Sequence, residues 1–122
     1  MAEKPVGIAI VGIGMWCKAL ATVMQKSGAF KMVTCFTRTP SKRQEFAAAF
    51  QCDQDSSYED ALKRRDVEAV LLTTPNSAHG EMTILAAERG KHVLVEKPIA
   101  NRVSDARRMI EACRNNGVIL SV

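Results

Sequence analysis

The chain has 122 residues, 17 of them Lys or Arg and 13 Asp or Glu, giving a net charge of +4. At roughly 100–200 residues per domain this is a single domain, long enough to bury a core without a disulfide or metal staple. Apolar residues make up 47% and charged ones 25%, a balance that excludes a disordered or collagen-like chain, and no apolar run approaches the ~18 residues of a membrane span.

The first apolar run, Val6 to Val11, is broken only by Gly7 and reads as a strand. It lacks the small-residue cleavage site of a secretory leader. Trp16, Leu20, Val23 and Met24 then follow the i, i+4, i+7, i+8 spacing of a helix, with Gly28 placed to end it. Met32 to Phe36 is a second strand, and Thr39-Pro40 opens the next helix as N-cap and first helical residue. A brief strand is expected near Gln51 and Cys52, and Ser56 with Glu59 reads as a capping box. Ala69 to Leu72 and Val93 to Val95 are further strands, separated by a segment that Gly90 closes. Ser104 is expected to cap a last helix carrying Ala106, Met109, Ile110 and Cys113 on one face; Gly117 ends it, and Val118 to Val122 is a final strand.

Continuous rather than alternating apolar runs suit strands covered on both faces. Strand and helix alternate through the chain, so the expected class is α/β: a doubly wound parallel sheet with helices on both faces, as one domain over residues 1–122. Cys17, Cys35, Cys52 and Cys113 show no metal or redox spacing. They are expected to be reduced thiols in a cytoplasmic protein, and no metal is expected. With one Trp, one Tyr and four Phe, and with its basic residues scattered, the chain offers no base-stacking platform. Neither a nucleic acid nor a membrane is an expected partner; an anionic small molecule fits the charge.

Gly12-Ile13-Gly14-Met15-Trp16-Cys17 leaves the first strand and opens the first helix. In a dinucleotide-binding (Rossmann) fold the first glycine makes a tight turn and the second lets backbone approach the pyrophosphate. A small third residue lets the helix pack closely, and Cys17 holds that place here. An acid usually follows ~20 residues later to grip the ribose of NAD. This chain has Thr37-Arg38-Thr39 instead, with Lys42 behind and no carboxylate before Glu45. A guanidinium fork, hydroxyls and an ammonium suit a 2′-phosphate, so NADP is favoured as cofactor, with NAD possible.

Thr73-Thr74-Pro75-Asn76-Ser77-Ala78-His79 follows the fourth strand, and Gly90-Lys91-His92-Val93-Leu94-Val95-Glu96-Lys97-Pro98 contains the fifth. With the glycine loop, these segments resemble the glucose-fructose oxidoreductase and inositol dehydrogenase (Gfo/Idh/MocA) family of NAD(P)-dependent enzymes. The resemblance implies that Thr74, Pro75 and Asn76 line the nicotinamide side of the cofactor, with His79 beside them. It implies that Glu96 and Lys97 face the nicotinamide ribose and the substrate, that the Lys97-Pro98 bond is cis, and that Lys97 has the chemical role. The backbone of Gly12, Ile13, Gly14, Met15 and Trp16 is expected at the diphosphate. Strand ends at Gly12, Thr37, Thr74 and Glu96 should converge on one edge, because open parallel sheets bind ligands at the carboxyl ends of their strands.

Members of that family carry a second, substrate-binding domain with an Asp-x-x-x-His pair. Asp105 is followed four residues later by Met109 and supplies no such pair, so the chain reads as the nucleotide-binding part of a longer enzyme. By resemblance the enzyme transfers a hydride between nicotinamide and a sugar, cyclitol or related polyol, and forms homo-oligomers through the missing domain. The other class is a stand-alone NADP-binding sensor without catalysis.

Overall fold

In the computed structural model, which describes residues 4–122 and of Met15 the backbone alone, the most apolar stretches form the centre of a parallel sheet. Strands β1 (Val6–Val11) and β4 (Ala69–Leu72) lie side by side in the middle. β2 (Phe30–Phe36) and β3 (Asp53–Gln54) extend the sheet on one side, β5 (His92–Val95) and β6 (Leu120–Ser121) on the other, giving the order β3-β2-β1-β4-β5-β6. Every pairing is parallel. Strand order reverses at β1, so a crevice opens between the loops that follow β1, β2 and β4.

Two cores, one on each face, account for the unbroken hydrophobicity of the central strands. Ile8 and Ile10 of β1 and Ala69 and Leu71 of β4 point to one face, where helix α1 (Met15–Ser27) and helix α2 (Pro40–Phe50) cover them with Cys17, Ala21, Met24 and Phe46. Ala9, Val11, Val70 and Leu72 point to the other. There α3 (Tyr58–Lys63), α4 (His79–Glu88) and α5 (Val103–Asn115) supply Tyr58, Leu62, Ala86, Ala87, Met109 and Cys113. Successive side chains alternate between faces, so both faces must be apolar where both are covered.

Several local expectations shift by a residue or more. α1 buries Cys17, Ala21 and Met24, while Trp16 is 70% exposed and Val23 66%. Of the expected stripe, Met24 is buried and Leu20 packs partly against the core, while Trp16 and Val23 face outward. Ser57, rather than Ser56, caps α3, its hydroxyl accepting the Asp60 N–H at 3.0 Å. α5 begins at Val103 after Arg102, so Ser104 lies inside it, and Ile110 is largely exposed while Met109 and Cys113 are buried. The short third strand starts at Asp53, after Gln51 and Cys52, and the last is only Leu120–Ser121. Gly28, Gly90 and Gly117 do have the left-handed backbone expected past helix ends.

The cysteines are free, and three of them, Cys17, Cys35 and Cys113, are buried. The neighbouring Cys52 thiol pushes the Cys35 thiol up, and Cys35 in turn holds that of Cys52 down. No described helix is long and apolar enough to cross a membrane.

Gly7 marks the tightest spot in the sheet. A Cβ there would come within 1.9 Å of the Asp66 carbonyl oxygen, which is backbone and cannot rotate away. Gly7→Ala is therefore expected to destabilise the domain by about 2–3 kcal/mol, read as a lowered urea midpoint at unchanged m-value.

Candidate functional site

The glycine loop is built by close packing at the carboxyl edge. Gly12 has φ 81°, and a Cβ on it would lie 2.8 Å from the Thr74 backbone nitrogen and 2.9 Å from the Thr73 carbonyl carbon. Only a residue without a side chain fits both that backbone angle and that space. The Gly12 N–H donates to Phe36 O at 2.9 Å, the Thr73 N–H to Val11 O at 2.9 Å, and the Thr73 hydroxyl to Gly12 O. Gly14, the N-cap of α1, faces open space, with nothing within 4 Å of where its Cβ would be. The helix starts with no side-chain cap and no acid in its first turn. Its first N–H groups are thus free for an anion. Cys17, fully buried, takes the close-packed third position, and burial pushes its thiol up.

Beside this loop lies a cleft of about 650 Å³ whose walls include Gly12, Thr37, Arg38, Thr39, Thr74 and Pro75. Strands β1, β2 and β4 thus bring six of the expected residues together. The Thr74 hydroxyl is buried and has no hydrogen-bond partner within the described residues. Arg38 and Thr39 are exposed at the rim. Ile13, Gly14 and Lys42 line an adjoining hollow of about 410 Å³ with Lys18 and Glu45, which pair at 3.4 Å.

Other expected residues lie elsewhere. Asn76 sits in the short 3₁₀ turn Asn76–Ala78 and lines the groove between α4 and α5 instead of the cleft. His79 is fully buried, so its ring does not line the cleft either; both its nitrogens rest on backbone carbonyls. Trp16 projects outward from the start of α1, and only backbone in that turn can face a diphosphate. Glu96 and Lys97 line a separate apolar groove with Leu20, Leu71, Leu94 and Val122. The Lys97–Pro98 bond is cis, as expected, and Lys97 is exposed. Glu96 does not hold the Lys97 ammonium: its carboxylate accepts the Lys97 backbone N–H at 3.2 Å.

In the sequence Arg43 is one more positive charge behind Lys42, without an assigned partner. Its guanidinium donates to Thr37 O at 3.0 Å, while its own carbonyl accepts the Cys35 thiol, so α2 is tied to the loop that bears Arg38. Ser77, Glu81 and Met82 also join the cleft wall, from the turn and helix after β4.

A glycine turn leaving a central strand, an uncapped helix start and a cleft at the reversal of strand order define a dinucleotide-binding α/β domain. Residues 6–122 match the model of the Gfo/Idh/MocA oxidoreductase family, NAD-binding Rossmann fold, and the chain belongs to that family. It is 38% identical over 116 residues to 2,7-anhydro-N-acetylneuraminate hydratase of Mediterraneibacter gnavus, covering 95% of this chain and 30% of the relative. It superposes on the WlbA dehydrogenase of Bordetella pertussis, solved with NADH and UDP-GlcNAcA, at TM-score 0.89 and 32% identity over 95% of this chain and 36% of that one. KijD10, a 3-ketoreductase of Actinomadura kijaniata solved with NADP and TDP-benzene, gives TM-score 0.91 at 25% identity, over 95% and 36%. The chain thus spans about a third of the length of these relatives.

Proposed function

We propose that residues 1–122 are the nucleotide-binding domain of an NAD(P)-dependent oxidoreductase acting on a sugar, cyclitol or related polyol, with NADP(H) preferred. A substrate domain and homo-oligomeric assembly through it, and a cytoplasmic location, belong to the same reading. The observation that carries it is the convergence of Gly12, Thr37–Thr39 and Thr74 on one cleft in which the Thr74 hydroxyl is buried without a partner. The named ligands of the relatives, NADH with a nucleotide sugar and NADP with a nucleotide analogue, support both cofactor and substrate class. The family match favours an enzyme over a stand-alone sensor.

The residues present fit a dinucleotide. Backbone at Gly12, Ile13, Gly14, Met15 and Trp16 would hold the diphosphate, and Arg38, Thr39 and Lys42 the 2′-phosphate. Thr37 would hold the adenosine ribose, and Thr74, Pro75 and Glu96 the nicotinamide half. When bound, the nicotinamide supplies or accepts the hydride. Lys97 stabilises the charge that develops on the substrate oxygen and holds the hydroxyl in line. A guanidinium meets a phosphate dianion bidentately, whereas a 2′-hydroxyl gives it little to grip.

Arg38→Ala is therefore expected to weaken NADP(H) binding by ~1.5–3 kcal/mol and to leave NAD(H) almost unchanged. Titration calorimetry with both cofactors tests this; equal losses for the two would overturn the assignment of Arg38 to the 2′-phosphate.

A further inference from the structure

The ladder between β4 and β5 ends at the bond from the Glu96 N–H to Leu72 O, 3.0 Å long. Beyond it the chain diverges into two loops, one carrying Thr74 and Pro75, the other Lys97 and Pro98. Among the described residues, the side-chain hydrogen bonds that join these loops are those of His79. Its Nδ1 lies 2.9 Å from Pro98 O and its Nε2 3.0 Å from Thr74 O. The ring is 0% exposed, so no water competes for either nitrogen.

Carbonyl oxygens accept and never donate. A ring with one proton donates to one of the two carbonyls at a time, and a ring protonated on both nitrogens donates to both. In the first case the ring bonds one turn and only packs against the other; in the second it is hydrogen-bonded to both the turn after β4 and the turn after β5. Those turns bear the two groups that the proposed function assigns to the nicotinamide half: the unpartnered Thr74 hydroxyl and the Lys97 side chain.

We propose that His79 is a positioning residue: through the Thr74 and Pro98 carbonyls it fixes the distance between the nicotinamide-facing threonine and the Lys97–Pro98 turn, and so aims Lys97. This inference rests on the dinucleotide reading of the cleft. His79 itself touches neither cofactor nor substrate. Its influence is local to the β4 and β5 ends, because none of its hydrogen bonds reaches the Thr37–Thr39 loop or Arg38. A merely structural histidine would act on the whole domain. A positioning histidine acts on the nicotinamide half of the ligand alone.

The test compares NADPH with 2′,5′-ADP, which contains the adenosine half and the 2′-phosphate but no nicotinamide. Both are titrated into the wild-type chain, His79→Ala and His79→Gln. His79→Ala is expected to raise the Kd for NADPH about tenfold, the factor associated with one hydrogen bond, while that for 2′,5′-ADP stays within about twofold. His79→Gln, which keeps an amide donor, should recover part of the loss. Equal weakening of both ligands, or no weakening of either, would overturn the proposal and leave the cofactor reading standing. A wild-type chain that binds neither ligand would overturn both.

Should the variants fail to fold, the unaltered chain decides by nuclear magnetic resonance. A ring N–H of His79 coupled through a hydrogen bond to the carbonyl carbon of Thr74 or Pro98 is expected. A ring lacking coupling to either carbonyl would end the proposal.

Discussion

On the proposed function, Lys97→Met in a chain that carries the substrate domain is expected to lower kcat by roughly 10²–10⁴-fold while changing cofactor affinity much less. Moving a hydride between an alcohol carbon and nicotinamide also moves a hydroxyl proton and builds charge on oxygen. An ammonium at that oxygen stabilises the transition state more than the ground state, which is the condition for an effect on kcat. Methionine keeps the apolar stem and removes only the charge. Lys97 is exposed and forms no ion pair among the described residues, so its replacement should leave folding nearly untouched. Steady-state rates and thermal unfolding on one preparation check both halves; a near-normal kcat would remove Lys97 from the chemistry.

Gly12→Ala should be the most damaging single change in the nucleotide cleft. The φ of 81° costs an alanine about 1–2 kcal/mol, and contact at 2.8–2.9 Å with backbone of Thr73 and Thr74 adds about 1–3 kcal/mol. The strain falls between β1 and β4, where the loop and the Thr74 hydroxyl are positioned together. Expected are a loss of about 3–4 kcal/mol in unfolding free energy and at least a ~100-fold weaker Kd for NADPH. Denaturant melts and calorimetry on the same protein measure the two. The Gly14 site, open on all sides, provides the contrast: Gly14→Ala should fold normally and weaken the dinucleotide alone.

The architecture was legible because the central strands are apolar on both faces and helices separate them. Finer features escaped for identifiable reasons. In α1 the large apolar residues Trp16 and Val23 dominate any count of hydrophobicity, yet close packing on β1 demands the small side chains of Cys17 and Ala21. A capping serine is recognised by its pattern, but Ser56 and Ser57 are adjacent and only the backbone decides which turns inward. The family resemblance groups Asn76 and His79 with Thr74. The 3₁₀ turn between them rotates Asn76 to another groove and sends His79 beneath the cleft. Arg43 is legible only as one more positive charge behind Thr39; its bond to Thr37 is not, because the partner is a backbone carbonyl, which every residue has.

The position of β1 in the middle of the sheet also bears on how the domain is made. Its two neighbours are unequal in time: β2 follows at once, whereas the Thr73 hydroxyl that closes on Gly12 comes 61 residues later. At about 5–20 residues per second, ribosomal synthesis leaves β1 without its second partner for roughly 3–12 seconds. During that interval Ile8, Ala9, Ile10 and Val11 lie on an uncovered strand edge, a ready template for pairing with another nascent chain. Until β4 is in place, Gly12 has no Thr73–Thr74 backbone to turn against. NADP(H) can stabilise the finished domain by mass action, but it offers no such help to the growing one.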